Sequence, residues 1–163
     1  MARTVRAYGT IKKINNMKRI VVVDIDGTIA KIGDRLKYIT DQNPRDYDAF
    51  YDHVGEDKPI KEILAIVQEL SYKYHVVFCT GRAARCRTQT IEWLNRYLPI
   101  SGYDLLMRKD GDYRHDVDVK PQLLKKANIY PQQVLCILED RNSMVKKWRE
   151  LGFTCLQVND GDF

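Results

Sequence analysis

The sequence predicts an α/β fold, a Rossmann-like three-layer sandwich with a five-stranded, mainly parallel sheet and a small cap inserted after the first strand. Three observations lead there. From Arg19 onward, short β-branched apolar runs alternate with amphipathic stretches, the pattern of repeated βα units feeding a parallel sheet. The 163 residues suffice for one domain with a buried core and are short for two. Residues 30–58 break the rhythm with a polar, aromatic stretch too long for an ordinary βα loop.

Taken in order, residues 1–18 form a basic lead ahead of a domain at 19–163. Up to and including Arg19 the chain holds Arg3, Arg6, Lys12, Lys13, Lys18 and Arg19 and no acid. Without those six of the 27 basic residues, 21 remain against 22 acids, so the formal charge of +5 comes from the lead. An arm that touches nucleic acid, an unstructured tail, and residues ahead of a start at Met17 all fit that composition.

The first strand is IVVVDI (20–25), and the cap or lid insertion at 30–58 follows it. Within the insertion, RDYDAFYDHV (45–54) suits a short helix that packs Tyr47, Phe50 and Tyr51 on the domain. Residues 59–72 place Ile60, Ile63, Leu64, Val67 and Leu70 on one helical face. Then come HVVFCT (75–80), a helix over 82–97, DLLMR (104–108), VLCILE (134–139), a helix over 142–151 and FTCLQV (153–158). Pro121 suits the first turn of a short helix reaching about Ala127, with Lys120 just ahead of it.

No apolar run approaches the roughly 18 residues of a membrane helix, which excludes a membrane partner of that kind. No apolar segment followed by a small-residue cleavage site opens the chain, so a cytoplasmic location is expected. Cys79, Cys86, Cys136 and Cys155 are scattered, without CxxC or zinc-finger spacing, and read as reduced thiols, with Cys79 and Cys136, inside apolar runs, as small core residues. His53, His75, Trp93 and Trp148 read as structural, since no acid–histidine–nucleophile order is visible.

The chemistry concentrates at strand ends. Asp24 and Asp26 stand two apart where a hydrophobic strand gives way to Gly27-Thr28, at the edge where open α/β sheets bind ligands. Alone, that string is also what a solvated turn would look like. Charges placed there without partners are costly, and a cation is the simplest reason for them. Thr80-Gly81-Arg82 closes the second strand, Lys120 precedes a helix, and Glu139-Asp140 close the fourth strand, all at the same edge. An in-line nucleophile, a divalent cation, a proton donor and positive charge around the equatorial oxygens are what phosphoryl transfer needs, and this set supplies them.

Asp24 to Thr28, Thr80, Lys120 and Glu139-Asp140 together resemble the four motifs of the haloacid dehalogenase superfamily, over nearly the whole chain after Arg19. The resemblance implies that Asp24 attacks phosphorus to give an aspartyl phosphate. Asp26 would protonate the departing alcohol and later activate water. Magnesium (Mg2+) would be held by the Asp24 carboxylate, the Asp26 backbone carbonyl and Asp140, with Glu139 as a further ligand or a neighbour, where the family often has Asp. Thr80 would hydrogen-bond the phosphoryl group, Lys120 would neutralise charge, and Asp116 would orient Lys120 or an arginine.

A narrower likeness rests on DIDGTIAK, TGR, MRKDGDYRHDVDVK, LEDRN and the ending Gly161-Asp162-Phe163, which are similar to the phosphatase half of the phage-type polynucleotide kinase 3'-phosphatases. It implies substrate-phosphate contacts from Arg35 and from Arg82 beside Gly81. No GxxxxGK[ST] loop occurs, so 5' phosphorylation would fall to a separate kinase, with a ligase as a further partner. The implied reaction is removal of 3'-phosphate from DNA or RNA ends. A nucleotidase acting on free nucleoside monophosphates, and a nucleic-acid-binding protein without turnover, are the alternatives. Arg85, Arg87, Arg108, Lys109 and Arg114 are candidates for a strand-binding track.

Overall fold

The computed structural model describes residues 19–161; the basic lead and the last two residues of the Gly161-Asp162-Phe163 ending lie outside the described residues. Strand β1 (Ile20–Val23) is central because every one of its residues is apolar and buried, with no face left for water. Strand β2 (Ala30–Lys31) opens the insertion, short helices α1 (Lys37–Thr40) and α2 (Tyr47–Asp52) lie within it, and β3 (Lys58–Pro59) ends it. Then follow α3 (Lys61–Ser71), β4 (His75–Ala83), α4 (Arg87–Tyr97), β5 (Tyr103–Arg108), α5 (Asp116–Lys126), β6 (Val134–Arg141), α6 (Asn142–Glu150) and β7 (Cys155–Gly161).

The sheet order is β5-β4-β1-β6-β7, and each neighbouring pair is parallel. Alternation along β1 divides the core. Val21 and Val23 pack with Leu64 and Val67 of α3 and with Trp93 and Leu94 of α4. Ile20 and Val22 face the other way, onto Leu123 and Leu124 of α5 and Met144 and Trp148 of α6. At about 1.5–3 kcal/mol per fully buried aliphatic side chain, these two layers supply most of the driving force for folding.

Three local expectations are corrected. Strand β4 continues through Thr80-Gly81-Arg82 to Ala83, so α4 begins at Arg87 and not at Arg82. A register shift between Thr80 and Ala83 keeps this stretch extended and turns the Arg82 side chain fully inward. Helix α5 begins at Asp116, placing Pro121 inside it and Lys120 on its buried face. Asp116 and Asp118 in the first turn favour that start through the helix dipole. The proline's missing N–H removes a single bond, which burial of Val119, Leu123 and Leu124 outweighs. Finally, β2 and β3 pair antiparallel, a two-stranded neck too short to leave a periodic signal.

Candidate active site

The carboxyl ends of β1, β4 and β6 and the buried face of α5 converge on one cluster. Lys120 Nζ donates to Asp24 Oδ1 at 2.6 Å and to Glu139 Oε2 at 2.9 Å. Thr28 Oγ1 lies 3.1 Å from Asp24 Oδ2 and 3.2 Å from Asp140 Oδ1, so one hydroxyl ties the two aspartates together. Asp24, Thr28, Lys120, Glu139 and Asp140 are all at most 3% exposed. Burial, then Glu139, push the Asp24 carboxyl up to about 7 against the opposing pull of Lys120. Burial disfavours the Lys120 ammonium, but Asp24 and Glu139 outweigh it and hold its pKa well above the ordinary value. Burial also raises Glu139 and Asp140.

The donor set fits a divalent cation. Oxygens of Asp24, Glu139 and Asp140 lie within 4.8 Å of one another. One lysine against three carboxylates leaves an excess of two negative charges, and Asp140 Oδ2 is buried with no hydrogen-bond partner. The Glu139 oxygens are already engaged, by Lys120 and by Trp148 Nε1 at 3.4 Å on Oε2, and by the Asp140 N–H at 3.3 Å on Oε1. The open coordinating oxygen therefore belongs to Asp140, and Glu139 bridges it to Lys120. Gly27 makes room: its φ is +85°, and a Cβ there would run into the Asp140 carboxylate. Gly27→Ala is expected to cost roughly 1 kcal/mol or more of stability and about 10²-fold or more in turnover, read by thermal melting and initial rates. An alanine variant as active as the parent would show that the Asp140 position is not critical.

The second aspartate has a different surrounding. Asp26 receives Arg35 Nη2 and Arg82 Nη2, each at 2.6 Å. Although burial opposes it, Arg82 and Arg35 draw the Asp26 carboxyl down to about 2. Both guanidiniums also bind Asp57, which accepts Arg35 Nε and Nη2 at 2.8 and 2.7 Å and Arg82 Nη2 at 2.8 Å. Arg82 Nη1 reaches Thr90, and Arg35 lies over the Phe50 ring at 4.3 Å. Asp26, just beyond β1, and Asp57, beside the insertion neck, hold both guanidiniums inward. Arg35 Nη1 alone is buried without a partner.

Asp57 was missed by sequence reasoning. It is 3% exposed, and its carbonyl accepts Trp93 Nε1 at 2.7 Å. Its one signal was an acid directly before the end of the insertion, indistinguishable in one dimension from its solvated neighbour Glu56.

Thr80 is fully buried, and its Oγ1 accepts the Arg82 N–H at 3.2 Å, leaving the hydroxyl proton available to donate. The Gly81 carbonyl accepts Arg108 Nε at 2.8 Å. Asp116 pairs with Arg108 and, at 3.3 Å, with Arg141 Nη1, so its carboxylate orients these two arginines. A side chain at Gly81 would collide with the Asp116 carboxylate.

Four of the five cations named for a strand-binding track have partners within the chain. Arg108 is consumed internally by Gly81, Asp112, Arg114 and Asp116. Arg85 forks between Asp48 and Asp52 of α2, Arg114 pairs with Asp112 at 2.6 Å, and Arg87 reaches the Leu105 carbonyl at 3.2 Å. Sequence lists the cations but not the acids that fold brings beside them. The quiet readings hold: the four cysteines are buried and unpaired, both tryptophans are core residues, His75 pairs with Asp104, and His53 bonds the Ala49 carbonyl.

Comparison with known proteins places these contacts in context. Residues 18–163 match a family model described as the polynucleotide kinase PNKP phosphatase domain. A protein of Autographa californica nuclear polyhedrosis virus, named as a bifunctional polynucleotide kinase/RNA ligase, is 27% identical over 90% of this chain and 21% of its own length. Solved chains from a Pnkp1/Rnl/Hen1 complex and from the Pnkp1/Rnl/Hen1 RNA repair complex superpose with TM-scores of 0.75 and 0.76 at 30% and 29% identity. They are covered over 91% and 94% of this chain and 48% and 46% of theirs. A haloacid dehalogenase-like hydrolase from Streptococcus pneumoniae, 17% identical with a TM-score of 0.63 over 85% of this chain and 83% of its own, shares the fold. The chain thus spans about a fifth of the curated relative and about half of the chains in the solved complexes.

Proposed function

Because the chain belongs to the family of polynucleotide kinase PNKP phosphatase domains, we propose that it is a magnesium-dependent phosphomonoesterase that removes 3'-phosphate from polynucleotide ends through an aspartyl phosphate. The observation that carries this reading is a pair of orphans: Asp140 Oδ2, an acceptor beside Asp24, and Arg35 Nη1, a donor on the guanidinium that holds Asp26. A phosphate accompanied by a divalent cation offers each of them what it lacks.

In this mechanism an Asp24 oxygen attacks phosphorus, the P–O bond to Asp24 forms, and the ester P–O bond breaks. Asp26 delivers a proton to the departing oxygen. It is ionised between Arg35 and Arg82 in the free protein, so it carries that proton only once the bound phosphoryl group competes for the two guanidiniums. Asp26 then takes a proton from the water that cleaves the Asp24 ester and releases inorganic phosphate. Lys120 offsets charge shared by Asp24 and the phosphoryl group, and the Thr80 hydroxyl donates to an equatorial oxygen. A magnesium ion, held by Asp24, Asp140 and the Asp26 carbonyl, would supply positive charge against the phosphoryl oxygens.

The names of the relatives favour RNA ends, and kinase and ligase steps would lie on other chains or segments, since no GxxxxGK[ST] loop is present in these residues. The test is phosphate release from 3'-phosphorylated RNA and DNA oligonucleotides, a 5'-phosphorylated counterpart, and 3' and 5' mononucleotides, with magnesium or EDTA. The 3'-phosphorylated oligonucleotide should lead by about tenfold or more. Preference for mononucleotides would make the chain a nucleotidase, and release unaffected by EDTA would remove magnesium from the mechanism.

The metal site also predicts a pH dependence. A carboxyl raised in the fold stabilises below its unfolded pKa, and that contribution disappears as pH rises through the folded value, here about 7 for Asp24. Metal-free protein should therefore melt at lower temperature at pH 8.5 than at pH 6, and magnesium should raise the melting temperature more at pH 8.5. Asp26 has the opposite sign, its contribution being lost only as pH falls toward about 2, outside this window. A magnesium effect equal at both pH values would argue against a site built on Asp24.

A further inference from the structure

Beside the Asp24 cluster lies a cleft of about 490 Å3, a volume in the range of small-ligand sites. Its floor is the reacting edge itself, lined by Gly27, Thr28 and Asp140. Its sides are mainly aliphatic and come from three separate segments: Ile32 and Leu36 at the start of the insertion, Ile60 and Ile63 at the start of α3, where Glu62 also lines the cleft, and Val158 in β7. Another cleft, formed by the 109–114 loop, contains none of the cluster.

We infer that this cleft seats the terminal nucleoside, with its base between the Leu36 side and the Ile63 side and its phosphate at the floor of Gly27, Thr28 and Asp140, where Thr28 Oγ1 lies 3.1 Å from Asp24. The inference rests on the phosphatase reading above and names the recognised part of its substrate. A phosphomonoester with a flat, weakly polar leaving group suits a charged floor under branched aliphatic walls, because each ring face loses water against carbon. A sugar phosphate would present hydroxyls to those walls and leave them unsatisfied. At the rim, Lys31 and Asn159 bring one ammonium and one amide, suited to the preceding phosphodiester and to a base edge.

The cleft is also coupled to the proton-transfer residue. Arg35 lies in the same 3-10 turn, Asp34–Leu36, as the wall residue Leu36, and it bonds Asp26 at 2.6 Å. A base pressed on Leu36 therefore bears on the turn that positions Arg35 against Asp26.

The test is a cycle between base and wall, read as binding in an Asp24→Asn background so that substrate is not consumed. Titrants are a 3'-phosphorylated oligonucleotide, the same strand with an abasic terminal residue, and the corresponding nucleoside 3'-monophosphate. The parent wall should prefer the terminal base by about tenfold over the abasic end. Leu36→Glu should bind both strands equally, and Leu36→Ile should retain the preference. Leu36 is partly exposed at 36%, so the change is not a core substitution. A merely structural role for Leu36 would weaken both strands by the same factor. Absence of a base preference in the parent wall, or its survival in Leu36→Glu, overturns the inference. The oligonucleotide should also bind more tightly than the monophosphate, and equal affinity would overturn the contact of Lys31 with the preceding phosphodiester. A base preference without magnesium-dependent phosphate release in the unmodified chain would sink the phosphatase reading alone.

Discussion

Asp24→Asn is expected to abolish phosphate release, by roughly 10³-fold or more, while leaving the fold unchanged. The amide matches the carboxylate in shape and keeps an oxygen for Lys120 or Thr28, but it cannot form an aspartyl phosphate. Its effect on stability should run opposite to its effect on turnover. Asp24 is buried in a cluster where three carboxylates face one lysine, so removing a negative charge relieves repulsion with Glu139 and Asp140. Metal-free Asp24→Asn should therefore melt at or above the temperature of the parent at pH 8.5, and magnesium should raise that temperature less than it raises the parent's. Circular dichroism, melting curves and acid-quench trapping of phosphoenzyme check these outcomes together. Full activity in this variant would end the covalent mechanism, whatever the substrate.

Lys120→Met should damage both activity and stability. Its ammonium is 2.6 Å from Asp24 and 2.9 Å from Glu139, and methionine fills similar volume without charge. Breaking a buried ion pair from one side leaves uncompensated charge, at a cost of about 3–5 kcal/mol. Turnover should fall by roughly 10²-fold or more, since positive charge beside the developing oxyanions is lost. The sign of the pH dependence distinguishes this from a packing defect. Near pH 5 the raised carboxyls of Asp24, Glu139 and Asp140 take up protons more readily once Lys120 is gone, so the penalty shrinks; near pH 8 it is full. Urea unfolding at both pH values, with and without magnesium, measures it. A penalty that does not vary with pH would mean that Lys120 acts through its methylene stem and not its charge.

Much of the fold was legible because parallel strands buried on both faces must be apolar throughout, and IVVV, HVVFC and VLCIL are. The same regularity exposed the site. Carboxylates do not belong at the ends of such runs unless something there requires charge, and Asp24, Glu139 and Asp140 do meet within one cluster, joined by Lys120 from α5. Boundaries were less legible. The extended Thr80–Ala83 stretch and the early start of α5 are decided by what Arg82 and Lys120 touch across the sheet, and local propensity has no access to that.

Sequence by itself determined the layer architecture, the burial of both tryptophans and of Cys79 and Cys136, and which charged residues would gather at one sheet edge, since each follows from short-range hydrophobic period and strand-end position. Tertiary structure alone decided how those charges are partnered. It brought Asp57, 31 residues after Asp26, against Arg35 and Arg82, turned Arg108 inward onto Gly81 and Asp116, gave Arg85 to the acids of α2, and left Asp140 Oδ2 and Arg35 Nη1 without partners. An ion pair is a contact at about 3 Å between side chains far apart in the chain, and only the folded backbone sets which of the many acids and bases come within that reach.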